Sequence, residues 1–142
     1  MFFPQSPILI EMKTHFFRKE ERLTSRKQIE LLFKNRSSFI LYPFRIVWNP
    51  AEAPMPYPAK VLVSVSKKKF KRAVDRNRIK RLIREAYRRQ KEEQLYSFLR
   101  SQGLSIHLMI LYVGNEIFTA QDIEKKLNSA LNRLQKEHDQ RA

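Results

Sequence analysis

The segment VDRNRIKRLIREAYRRQK, residues Val74 to Lys91, constrains the fold more than any other stretch of the chain. Ile79, Leu82, Ile83, Ala86 and Tyr87 recur at i, i+3, i+4, i+7 and i+8, which predicts a helix whose apolar stripe must be covered by another element. Around that stripe stand Arg76, Arg78, Lys80, Arg81, Arg84, Arg88, Arg89 and Lys91, relieved only by Asp75 and Glu85. Arg76, Lys80, Arg84 and Arg88 run at successive i+4 steps, with Arg78 and Arg81 beside them. Lys67, Lys68, Lys69, Lys71 and Arg72 crowd the approach to the helix. Cations at a helix start oppose its dipole, at roughly a few tenths of a kcal/mol each. A chain shaped only to fold would place acids there. Phosphate binding explains the inversion, because backbone N–H groups at a helix start favour anions as well.

A solvated charged face is the plainer account of a charge run, but such faces mix signs or pair Glu with Lys at i+4. Here Glu85 can meet Arg81, Arg88 and Arg89, and most of the remaining charge has no acidic neighbour in sequence. Arg outnumbers Lys within the helix, which suits bidentate contacts to phosphate. The net charge of +15 over 142 residues points the same way, since an anionic partner relieves self-repulsion. A membrane-surface helix fits less well, because the apolar stripe is needed for the core and has no Trp or Phe. The choice between DNA and RNA rests on context. DNA recognition helices normally sit in all-helical or zinc-finger modules, whereas this one lies between strand-like segments in a chain without Cys. RNA is the expected partner.

The rest of the chain reads as one domain of about 100–150 residues, the common size. Ser25–Arg36 is expected to be a helix, with Ser25 and Gln28 at capping-box spacing and Ile29, Leu32 and Phe33 on one face. Strands are expected at Phe39–Leu41 and Phe44–Trp48, separated by Pro43, and a loop at PAEAPMPYP, residues 50–58. KVLVSVS alternates as a strand should, and SIHLMILY is apolar on both faces, as a central strand should be. Thr119 and Asp122 mark the start of a last helix carrying Ile123, Leu127, Ala130, Leu131 and Leu134. The order is α-β-β-β-α-β-α, an α+β single domain with a four-stranded sheet packed by helices. Residues 1–11 lack the features of a signal peptide and are expected to be an extension before the domain at 12–136, with 137–142 a frayed tail. With no apolar run long enough to span a bilayer, the expected location is the cytoplasm.

The residues from Lys60 to Arg89 resemble the protein component of bacterial ribonuclease P. That family has a strand ending in Ser-Lys-Lys, a turn, Ala-Val, then Arg-Asn-Arg-x-Lys-Arg-x-x-Arg. Ser66–Lys67–Lys68, Ala73–Val74, Arg76–Asn77–Arg78, Lys80–Arg81 and Arg84 supply these in order. The resemblance extends over about residues 16–135. It implies a ribosomal protein S5 domain 2-like fold with a left-handed βαβ crossover, against the general preference. It also implies a non-catalytic subunit of a ribonucleoprotein endonuclease, in which the RNA performs Mg²⁺-dependent removal of the 5′ leader from precursor tRNA. Lys67, Lys68, Arg72, Arg76, Asn77, Arg78, Lys80, Arg81, Arg84 and Arg88 would bind the ribonuclease P RNA. Ile29, Phe33, Phe44, Ile46 and Trp48 would line a cleft for the single-stranded leader. Ile29 stands where many relatives have Phe, and Leu62 and Lys71 where they often have Gly. The turn at Lys71 must then work without a residue free to take positive φ.

No cofactor is expected on the protein itself, Mg²⁺ being held chiefly by RNA, and neither DNA nor membrane is an expected partner. His15, His107 and His138 are scattered, with no ligand spacing, and His107 on a buried-type strand reads as a core histidine. A non-catalytic ribosomal or RNA-assembly protein would use the same basic helix but would need no leader cleft. A DNA-binding regulator would instead prefer duplex DNA at matched salt.

Overall fold

The computed structural model describes residues 17–34, 37–53 and 55–141, and the expected extension at 1–11 lies outside them. A 3-10 turn at Lys19–Glu21 leads to helix α1 (Arg26–Lys34), then strands β1 (Ser38–Leu41), β2 (Phe44–Pro50) and β3 (Ala59–Val65). Helix α2 (Ala73–Lys91) continues through a π-helical turn at Glu92–Tyr96 into the short α3 (Ser97–Ser101). Strand β4 (Ile106–Tyr112) and the long α4 (Ala120–Arg141) complete the chain. This is the α+β order read from the sequence. Two helical stretches run further than their patterns mark. α2 passes into the π turn instead of ending at Lys91, and α4 extends to Arg141, past its last buried leucine, Leu134. The expected caps form where they are described: the Asp122 N–H donates to Thr119 Oγ1 at 3.1 Å and the Gln28 N–H to Ser25 Oγ at 3.4 Å. Gly103, at φ +62, ends α3 in the left-handed conformation that favours glycine.

The sheet order is β1-β2-β4-β3, antiparallel except for the β3–β4 pair, which α2 joins by a crossover. Register aligns side chains in rows. Phe44–Tyr112–Val65, Ile46–Ile110–Val63 and Trp48–Leu108–Val61 run across one face. That face packs against Ile79, Ile83, Ala86 and Tyr87 of α2 and Ile123, Leu127, Leu131 and Leu134 of α4. The period of two sends Val47–Met109–Leu62 and Arg45–Leu111–Ser64 to the other face, where α1 lies with Leu32 and Ile29. β4 is buried on both sides, which is why its sequence is apolar but for His107 and the Tyr112 hydroxyl. Leu62, at a position where glycine was expected, packs in this second cluster.

The strap before α1 is held by a buried ion pair. Glu21 is fully buried, and its Oε1 accepts from both Lys91 Nζ and the Tyr96 hydroxyl, the latter at 2.6 Å. Its Oε2 accepts from the Arg18 N–H at 2.6 Å. Beyond the strap's 3-10 turn, Arg22 pairs in parallel with Val61, and the Leu23 N–H donates to the Val61 carbonyl at 2.9 Å. The outer edge of β3 is thereby partly covered. Lys91, read in the sequence as one more cation of the basic run, is thus a core residue. Burial pulls its pKa down, while the Glu21 carboxylate opposes that shift. The π turn sets Tyr96 beside it on the same carboxylate.

Removing one member of such a pair leaves the other charge buried alone. Lys91→Met is therefore expected to destabilise the fold by about 3–5 kcal/mol, whereas Lys91→Met combined with Glu21→Gln recovers much of that loss. Urea unfolding of the three proteins at pH 7 checks this.

Candidate RNA-binding surfaces

Two surfaces follow from this architecture, one cationic and one a cleft. Packing the apolar stripe of α2 on the sheet turns the arc holding Asn77, Arg78, Arg81 and Arg84 to solvent, and all four are exposed. Lys80 and Arg76 lie on the flank of that arc and are half-buried. Arg88 is committed locally: its guanidinium makes two hydrogen bonds to Glu85, and Arg89 lies 3.3 Å from the same carboxylate. The hydrogen bonds from Arg88 hold the Glu85 pKa below the ordinary carboxylate range. Lys67, Lys68 and Arg72 are exposed on the turn before the helix, Arg72 facing Asp75 at 3.8 Å. All the residues expected on the cationic surface therefore lie on one helix and its approach.

The turn itself forms without glycine. Among the described residues no side-chain-bearing residue has positive φ, Lys71 included. Instead, Arg76 Nη1 donates to the carbonyls of Phe70 and Lys71, each at 2.8 Å. Phe70 is buried against Tyr112, ring centroids 6.0 Å apart, and Lys69 Nζ reaches the Val113 carbonyl at 2.5 Å.

The cleft lies between α1 and the sheet, but its floor differs from the expected one. Phe44, Ile46 and Trp48 share a strand face, as anticipated, yet that face is the core beneath α2 and α4. Phe44 and Ile46 are fully buried, and Trp48, 4% exposed, stacks edge-on with Phe39. None of the three lines the hollow beside α1, because their side chains point to the opposite face of the sheet. The period of two instead sends Arg45 and Val47 there, joined by Leu32, Phe33, Ser64, Ser66, Met109 and Leu111 around a hollow of about 250 Å³. Phe33 stands at its rim, 65% exposed, whereas Ile29 is half-buried against the α1-face cluster. The signal for the correct face was present in the sequence. In FRIVWNP the set Phe44, Ile46, Trp48 is uniformly bulky and apolar, as a core requires, while Arg45, Val47 and Asn49 are mixed.

At the other end of α1 a polar hollow is lined by Ser25, Gln28, Glu52, Lys60 and His107. His107 is buried, and desolvation, reinforced by Lys60, lowers its pKa. His138 lies apart, edge-on to Phe98 at 5.9 Å, and His15 falls outside the described residues. Among the described residues no three His, Asp or Glu side chains come together to hold a metal ion.

The family profile of ribonuclease P matches residues 17–135. The chain belongs to the ribonuclease P protein family. It is 35% identical over 116 residues to the ribonuclease P protein component of Porphyromonas gingivalis, covering 82% of this chain and 84% of that one. To the Chlorobaculum tepidum component it is 33% identical over 108 residues, 73% of this chain and 70% of that one. Solved ribonuclease P proteins share the fold. The Staphylococcus aureus structure superposes with TM-score 0.64 at 22% identity, covering 81% of this chain and 95% of that one. The Thermotoga maritima structure gives TM-score 0.59 at 23% identity, with 80% and 96% covered. This ribonuclease P protein is therefore a subunit of an endoribonuclease that acts in tRNA 5′-leader processing. No helix among the described residues is long and apolar enough to cross a membrane.

Two outcomes check the assignment of faces. Trp48→Ala should destabilise the fold by about 3–5 kcal/mol, whereas Phe33→Ala, at an exposed position, should change stability by less than about 0.5 kcal/mol, both read from urea melts. The second concerns pH. His107 has a lower pKa folded than unfolded, so the unfolded chain binds more protons as pH falls through about 6.5, the reference value. Stability should drop between pH 7 and pH 5.5, and His107→Met, which cannot titrate, should flatten that dependence.

Proposed function

We propose that this protein uses its two surfaces on two RNAs: the α2 arc and the Lys67–Arg72 turn bind the ribonuclease P RNA, and the α1 cleft receives the 5′ leader of precursor tRNA. What supports this reading most is the position of the cations. Asn77, Arg78, Arg81 and Arg84 stand outward on a rigid helix whose other side is locked into the core, and Lys67 and Lys68 extend the same surface. Such an array follows a folded phosphate backbone, and its affinity depends strongly on salt. The cleft has a different chemistry: an exposed aromatic ring at the rim, one Arg, the hydroxyl-bearing Ser64, Ser66 and Tyr112, and an apolar floor. Base stacking on Phe33 with a backbone phosphate at Arg45 suits an unpaired strand and tolerates varied sequence. In this reading the RNA performs the hydrolysis and holds the Mg²⁺ that the reaction needs, while the protein supplies binding and orientation. The cytoplasm, where tRNA precursors are made in bacteria, is its place of work.

The test is cleavage of a precursor tRNA at low Mg²⁺ by the ribonuclease P RNA, with and without the protein. Strong stimulation at the mature 5′ end is expected, and none from the protein alone. Phe33→Ala with Arg45→Ala should weaken binding of the leader-bearing substrate by roughly 1–3 kcal/mol per lost stacking contact, leaving affinity for mature tRNA unchanged. A folded protein that binds RNA yet gives no stimulation would instead indicate a general RNA-binding or assembly role.

A further inference from the structure

Arg76 opens the Arg-Asn-Arg motif, but it is not placed like the other cations of α2. It is half-buried, and one guanidinium nitrogen, Nη1, bridges two successive carbonyls, Phe70 and Lys71, at 2.8 Å each. These charge-assisted bonds satisfy carbonyls of the turn, whereas the first N–H groups of a helix normally rely on a side-chain acceptor. Arg72, in the N-cap position, provides none. Nor does the turn contain a glycine that could take positive φ and turn its carbonyls elsewhere. On the helix side Arg72 also faces Asp75 at 3.8 Å, and its carbonyl accepts from the Arg76 N–H at 3.2 Å, but neither contact reaches Phe70 or Lys71; the other anchors act on the strand side of the turn. The Lys68 N–H donates to Ser66 Oγ at 3.2 Å, Lys69 reaches the Val113 carbonyl, and the Phe70 ring sits on Tyr112. The Arg76 guanidinium ties the Phe70 and Lys71 carbonyls to the helix, next to the exposed Lys67, Lys68, Lys71 and Arg72.

We propose that Arg76 is a positioning residue, holding the Lys67–Arg72 turn in the shape in which its cations meet RNA, and is not simply one more phosphate contact. The inference rests on the reading above that this turn binds the ribonuclease P RNA. Mutual repulsion among closely spaced cations would otherwise spread the turn, and two backbone carbonyls would lose their donor. An Arg suits the task because its guanidinium reaches one atom further than a Lys ammonium and is held planar.

A salt titration of binding to the ribonuclease P RNA separates the two roles. A lone phosphate contact contributes about 0.7–0.9 to the slope of log K against log salt, so its loss in Arg76→Ala would flatten the slope by that much. A positioning role loses neighbouring contacts too, and the expected flattening is about twice as large. In a double-mutant cycle, Lys67→Ala with Lys68→Ala should weaken binding clearly in the wild-type background and only slightly beside Arg76→Ala. In the RNA-free protein, amide hydrogen exchange at Lys68 and Phe70, whose N–H groups donate to Ser66, should rise severalfold in Arg76→Ala while the β4 amides keep their protection. If Arg76→Ala does not fold, the same cycle and exchange measurement are made with Arg76→Lys, which retains the charge but ends short of both carbonyls. Full additivity with a one-contact change in slope overturns the inference and leaves the RNA-binding reading standing. Unchanged exchange at the turn overturns it as well. If Lys67→Ala with Lys68→Ala leaves RNA affinity unaltered in the wild-type background, the reading of the turn falls and the inference with it.

Discussion

The carboxylate of Glu21 is the point on which the rest of this structure depends. It is fully buried, and a buried charge is tolerated only when its hydrogen-bonding capacity is met. Lys91 at the end of the basic helix, Tyr96 in the π turn and the Arg18 amide meet it. Lys91 and Tyr96 lie 70 and 75 positions from Glu21 in sequence, so the pair closes a long loop and joins the N-terminal strap to the far end of α2. With the strap seated, Arg22 and Leu23 align along Val61, and α1 is delivered across the sheet face opposite the large helices. The cleft exists because α1 is held there. A polar network of this kind serves placement more than net stability, because two well-packed apolar residues could match its contribution.

The sheet then divides labour by parity. Residues of even number on β2 and β4 build the core with α2 and α4, and those of odd number face α1. On the core face large apolar side chains fill every row. On the α1 face the rows grade along the strands, from Arg45–Leu111–Ser64 through Val47–Met109–Leu62 to Asn49–His107–Lys60. The α1 face thus has an apolar centre flanked by polar ends. The core face also locks the rotation of α2, so Arg78, Arg81 and Arg84 stay outward, while Lys91 at the helix end is turned in against Glu21. The apolar stripe and the exposed Arg78, Arg81 and Arg84 thus lie on opposite sides of the same helix. The dipole-opposing charge at the start of that helix is a cost to the fold that an anionic partner removes.

The fold was largely legible in the sequence. Period-two and helical patterns at Ala59–Val65, α2 and α4 placed the main elements, and Thr119 acts as the cap that its neighbours suggested. The cationic surface was legible too, since outward charge on a helix follows from its apolar stripe. The cleft was not. Phe44, Ile46 and Trp48 looked available because aromatic side chains suit both cores and stacking platforms, and which face of β2 is covered depends on where α2 and α4 dock. Arg45 and Val47 were the better choice on parity alone, since a face that mixes charge with a small apolar residue is a poor core.

The amino-acid sequence by itself determined the element order, the anionic character of the partner and the family, because these rest on local periodicity, net charge and an ordered motif. Tertiary structure decided which cations are free to bind. Lys91, Arg88 and Arg76 are alike in sequence, three cations on one helix. Folding buries the first against Glu21, ties the second to Glu85 and aims the third at two backbone carbonyls. The reason is physical. A charged side chain takes its role from the partners and solvent around its terminal atoms, and for Lys91 and Glu21 those partners are brought together only when distant segments of the chain meet.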